Sequence, residues 1–132
     1  MDRAELEALW QRRKLQTLRL LDVENLTREL LQAARQRDQV TLNMLLSMRE
    51  EPLRRLEELE AAVRQQLLRL PREDAVRAKA LLEGAPASGE EEAALAAQVA
   101  QYRRTLDAVV ELDRRLNLSL TGDKSFYKMF RN

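Results

Sequence analysis

Apolar residues recur three and four positions apart along most of this chain, the spacing of one face of an α-helix. From residue 3 to residue 36 no Gly or Pro interrupts that pattern. Leu6, Leu9, Leu20, Val23, Leu30 and Ala34 form the seam, and Trp10, Leu15, Leu18, Leu21, Leu26 and Leu31 flank it. An arc this wide exceeds what a coiled-coil seam needs. Such a helix either touches two neighbours or leaves a side open to a partner.

Residues 39–70 predict a second helix, with Leu42, Leu46, Leu53, Leu56, Val63, Leu67 and Leu70 on one face and Arg49 and Glu60 interrupting it. Pro52 lacks the N–H that would bond to the Met48 carbonyl, so a kink is expected there; the alternative is a split near Glu51. The repeat keeps its phase on both sides, which favours the kink. Residues 72–83 read as a short helix, entered through Pro71 with Glu73 and Asp74 at its positive end and left through Gly84. Its few apolar residues (Ala75, Val76, Ala78, Leu81 and Leu82) predict loose docking. After the loop 84–89, Ser88 and Glu91 have the spacing of a capping box. The last long helix then carries Leu95, Val99, Tyr102, Leu106, Val109, Leu116 and Leu120, with Asp113 at one seam position and a stop at Thr121-Gly122.

Connections this short place consecutive helices antiparallel. The expected fold class is therefore all-α: an elongated antiparallel bundle of three long helices plus one short helix over residues 1–122, then an aromatic and basic C-terminal tail over 123–132. Helices of about 30 residues span roughly 45 Å. A rod of three such helices leaves grooves along its length, and a fourth helix fits a groove.

Composition narrows the function. Apolar residues make up 45% and charged residues 34%, with three Gly and three Pro, which suits long helices better than sheet or disorder. Lys plus Arg (23) nearly balance Asp plus Glu (22), without the one-sided basic excess of a nucleic-acid footprint. The basic run Arg12-Arg13-Lys14 fans around its helix instead of forming a stripe. With no His and no Cys, the commonest acid–base group, thiolate chemistry and the usual zinc, copper and haem ligands are all missing. The carboxylate clusters Glu50-Glu51, Glu57-Glu58-Glu60 and Glu90-Glu91-Glu92 sit on helical segments, where no turn converges their oxygens on a cation. The glycines form no phosphate loop. The expectation is a non-enzymatic chain without cofactor or metal. No apolar run is long enough to span a membrane and the N-terminus lacks a signal-peptide core, so a cytoplasmic location is expected.

Five aromatic residues exist in the chain, and three of them (Phe126, Tyr127 and Phe130) fall in the last seven positions among Lys124, Lys128 and Arg131. Such a tail either caps the open end of the bundle or serves as a contact anchor. Trp10 similarly reads as core or as a binding anchor, and Met44 and Met48 as an adaptable surface or, in preference, as gap-fillers beside the Pro52 kink.

The whole layout resembles a known group. The resemblance rests on the charged turn Arg35-Gln36-Arg37-Asp38 and on the stretch Leu45-Leu46-Ser47-Met48-Arg49-Glu50-Glu51-Pro52-Leu53. It rests also on the weak short helix, on Glu111-Leu112-Asp113-Arg114-Arg115-Leu116, and on the closing Gly122-Asp123-Lys124-Ser125-Phe126-Tyr127. Together these resemble the flagellar type III export chaperones of the FlgN/FliT group. The resemblance is one of architecture and texture over nearly the whole chain. It implies a chaperone that holds an amphipathic helical segment of a hook-associated or filament-cap protein before secretion, with Val99, Tyr102, Leu106, Val109, Val110 and Leu116 of the last helix lining the client groove. A homodimeric helical adaptor is the alternative. Neither reading involves nucleic acid or membrane insertion.

Overall fold

The computed structural model describes residues 1–122, which form four helices in the order α1 (Arg3–Arg35), α2 (Gln39–Arg69), α3 (Arg72–Leu82) and α4 (Glu90–Gly122). Among the described residues there is no strand. The fold is the all-α bundle of three long helices and a short one that the periodicity predicts. Phe126, Tyr127 and Phe130 lie outside the described residues.

Local chemistry closes both ends of α1, the start of α2 and the end of α3, whereas α3 starts at Pro71 without a side-chain cap. Asp2 caps α1 in a full capping box: its side chain accepts from the Glu5 N–H at 2.9 Å, and Glu5 in turn accepts from the Asp2 N–H at 2.9 Å. Asp38 caps α2 by accepting from the Thr41 N–H at 3.1 Å. α1 and α3 end in the same wrap. At α1 the Asp38 N–H reaches the Ala33 carbonyl and the Arg37 N–H reaches Ala34; at α3 the Ala85 N–H reaches Ala80 and the Gly84 N–H reaches Leu81. The wrap needs one left-handed residue. Gly84 supplies it at φ +105° without a side-chain penalty, whereas Arg37 adopts φ 55° despite its Cβ.

Two expectations about local structure need correction. Ser88 does not pair with Glu91: its N–H and Oγ both donate to Glu92 Oε1, at 2.9 and 2.8 Å. The helix begins at Glu90, later than the box requires, and the longer reach falls to Glu92. Secondly, α3 does not dock loosely. Ala78 and Leu81 are fully buried and Leu82 nearly so, because the small Ala78 lets the short helix approach closely. As for Pro52, α2 runs unbroken through it and buries its ring, so the helix is not split.

α1 is the hub. It lies along both α2 and α4, whereas the backbones of α2 and α4 hardly approach each other. All six seam residues predicted for α1 are buried. The interior is segmented into three apolar clusters. At the α3 end, Leu6, Leu9, Val63, Ala78, Leu81, Leu82, Leu95 and Val99 pack together. At the opposite end, Leu30, Leu31, Ala33, Ala34, Leu42, Leu45 and Leu116 do so. Between them a smaller cluster holds Leu20, Val23 and Val109, with Leu56, Tyr102 and Leu106 half-buried against it, and Leu112 is buried nearby on α4.

Candidate protein-binding cleft

Two polar layers separate the three clusters, and they come from the seam positions that interrupt the apolar repeat. In the first, Glu60 of α2 accepts from Arg13 Nη1 at 2.8 Å and from Gln16 Nε2 at 2.9 Å, both on α1. The Arg13 guanidinium also lies over the Tyr102 ring of α4, 4.6 Å from its centre. Beside it Gln98 Nε2 donates to Thr17 Oγ1 at 3.1 Å, joining α4 to α1. In the second layer, Arg49 Nη1 of α2 donates to Asp113 Oδ1 of α4 at 3.0 Å and to Thr27 Oγ1 of α1 at 3.2 Å.

These groups titrate as their surroundings require. Burial pushes the Glu60 carboxyl up, but the hydrogen bonds from Gln16 and Arg13 outweigh it and leave the group below its ordinary value. Burial raises the Tyr102 phenol, and the Arg13 charge opposes that rise. The layers fix which helical turns face each other, because a slip along the axis would leave the buried Arg13 guanidinium without its carboxylate partner.

The polar layers cross a cleft that runs between α2 and α4. α3 fills one end of it. Its buried face meets Val63 of α2 and Leu95 and Val99 of α4. Its exit, Gly84, comes to rest against Arg103 in the fourth turn of α4, where a Cβ would sit 3.5 Å from Arg103 Nε. Arg77 fastens the two helices: its Nε donates to Glu92 Oε2 at 3.0 Å and its Nη2 to Glu92 Oε1 at 2.5 Å. Arg77, together with the Ser88 donors, holds the Glu92 carboxyl down at about 2. Beyond Arg103 none of the described helices lies in the cleft. Its floor is Leu56, Tyr102 and Leu106, all half-buried. On the stripes that flank the Arg49–Asp113 bridge, Leu53 is 41% exposed and Val110 is 59% exposed.

The six residues expected to line a groove therefore divide. Tyr102 and Leu106 form the floor of the cleft and Val110 its rim. Val99, Val109 and Leu116 are buried, one in each cluster, and contribute to the core instead of to a free surface. Leu53 and Leu56 of α2 belong to the cleft as well. Their seam spacing is visible in the sequence, but not their exposure.

Trp10 is half-buried against the end cluster, with Lys14 Nζ 4.9 Å from its ring centre. It lines an open hollow of about 540 Å³ between α1 and the start of α4, together with Arg3, Glu7, Glu90 and Glu91. Met44 and Met48 are exposed, contrary to a gap-filling role, because both point away from the α1 face of α2. Among the described residues no group of three His, Cys, Asp or Glu could hold a metal ion, and no helix is long and apolar enough to cross a membrane. Comparison with family models, curated proteins and solved structures finds no match.

Proposed function

We propose that this chain is a non-enzymatic client-binding protein that seats an amphipathic helical segment in the open part of the α2–α4 cleft, in the manner of a flagellar export chaperone. One observation carries the reading. The chain already fills one end of that cleft with an amphipathic helix of its own, α3, and the described residues leave the remainder floored by half-buried Leu56, Tyr102 and Leu106. A helix laid there anchors through residues at i, i+3, i+4 and i+7. Exposed Leu53 and Val110 would gain burial, at about 25 cal/mol per Å² of apolar surface removed from water. The resemblance in layout to the export chaperones supplies the client class: the amphipathic helical segments of hook-associated and filament-cap proteins.

The reading is tested by titrating synthetic peptides of those segments into the wild-type chain and into a Leu53→Asp, Val110→Asp variant by calorimetry. Binding to the wild type, at least ~10-fold weaker in the variant with helical circular dichroism unchanged, is the expected result. No binding by the wild type, or equal binding by both proteins, overturns it.

A further inference from the structure

α1 buries Gln16, Thr17, Leu20 and Val23 against α2 and α4, and leaves Leu15, Leu18 and Leu21 exposed at 49%, 42% and 39%. At 100° per residue Leu18 points directly away from the bundle axis, and Leu15 and Leu21 sit one step to either side. An exposed row of three leucines on a helix that already has two partners calls for a third contact. The residues around the row are matched in sequence about Leu18. Equidistant from it stand Leu15 and Leu21, then the opposite charges Lys14 and Asp22, then the amides Gln11 and Asn25.

We propose that this face of α1 is an isologous, antiparallel pairing surface for a second copy of the chain, with the two-fold axis at Leu18. A two-fold contact matches residue i of one copy with residue j of the other and j with i. Laid antiparallel, Leu18 meets Leu18, each Leu15 meets Leu21 of the other copy, and each Lys14 meets Asp22. Both ion pairs form together by symmetry. Gln11 then meets Asn25, and each amide carries both a donor and an acceptor for the other. A parallel arrangement would instead oppose Lys14 to Lys14 and Asp22 to Asp22, so the charges select the antiparallel one. Asp22 is held in place by Arg19, whose Nε lies 3.1 Å from Asp22 Oδ2, while the carboxylate stays half-exposed. Next to Leu15 a hollow of about 200 Å³, lined by Arg19, Arg55, Glu58 and Leu59, extends the apolar strip toward α2 and can receive an aliphatic side chain. Glu7 and Glu29, also equidistant from Leu18, are like-charged and end the seam.

The matched stretch from Gln11 to Asn25 spans only about 21 Å, so the interface falls short of the roughly 800 Å² per partner of a tight dimer. The pairing is therefore a monomer–dimer equilibrium in the range of roughly 10–100 μM. This face lies on the far side of α1 from the α2–α4 cleft, so pairing and client binding stand or fall separately.

Sedimentation equilibrium from about 1 μM to 1 mM tests the proposal. The wild type dimerises with increasing concentration, and Leu18→Glu, a change at an exposed site, stays monomeric with unchanged helicity. Lys14→Asp and Asp22→Lys each weaken pairing ~10-fold, and the two together restore it. The absence of cysteine makes cross-linking clean: Leu18→Cys forms an intermolecular disulfide on mild oxidation, and Leu15→Cys alone does not. A wild type that is monomeric throughout, a Leu18→Glu variant that dimerises normally, a double charge swap no better than the single ones, or cross-linking through Leu15→Cys alone each overturns the antiparallel pairing.

Discussion

The α3 end of the bundle and its middle are built on the same three long helices, yet they are filled differently. At the α3 end four helices meet, and the core holds eight buried apolar residues. In the middle, among the described residues, only α1, α2 and α4 are present, and the buried cluster shrinks to Leu20, Val23 and Val109. α1 lies along α2 and α4 in both places, and at the first α3 adds a cover over Val63, Leu95 and Val99. The opposite end buries seven apolar residues without a fourth helix, beside the α1–α2 turn, so the middle is thin because it has neither cover.

The largest test of this contrast uses one substitution in two places. Leu9→Ala removes a fully buried side chain beneath α3, and Leu20→Ala removes a 3% exposed one in the middle. Urea denaturation should show a loss of about 4 kcal/mol for the first and about 2 for the second, since a thinly covered site collapses around the cavity more readily. Equal losses would mean that the middle is packed as tightly as the end.

A smaller effect tests how α3 is held. Glu92→Gln weakens the grip of Arg77 and should lower stability at neutral pH by about 1 kcal/mol, the partial exposure of Arg77 screening the pair. The Glu92 carboxyl titrates at about 2 in the folded chain, below its ordinary 4.5. A depressed carboxylate stabilises the fold above its unfolded value, and that stability is lost as pH falls through the folded one. The gap between wild type and variant should therefore be full above about pH 5 and close by about pH 2. A melting-temperature difference that ignores pH would remove Glu92 from the clamp.

The smallest expected change concerns the bridge across the cleft. Arg49→Met with Asp113→Leu exchanges an ion pair for two apolar side chains and should leave the unfolding free energy within about 1 kcal/mol. Arg49→Met alone should do little more harm, because Asp113 is 47% exposed and water can solvate it. If either variant lost several kcal/mol, the bridge would be a main support of the middle and not a spacer.

Much of this was readable from the residues. The α1 seam and the approximate boundaries of the helices up to the start of α4 follow from periodicity and breakers, which act locally. Interruptions of the seam were visible at Arg49, Glu60 and Asp113, but not that two of them pair with each other while the third meets Arg13, since the partners lie 47 to 64 positions apart. Exposure was the least legible property. Val109 and Val110 are neighbours of identical chemistry; one is buried with Leu20 and Val23 of α1 and the other is 59% exposed, and the packing of α4 on α1 decides between them. The Asp2–Glu5 capping box could have been found, since an acidic cap followed by Glu three residues later is a local signal.

The hub position of α1 also has a consequence for how the chain is made. Its bond to α2 closes through a turn of three residues, whereas its bond to α4 joins Thr17 to Gln98 across 81 positions. As the chain leaves the ribosome, the α1–α2 hairpin can zip first and wait with Leu95, Val99 and Leu116 still unmade, one greasy flank of α1 naked to the cell. Newborn chains stalled before α4 should accordingly be the species that chaperones capture.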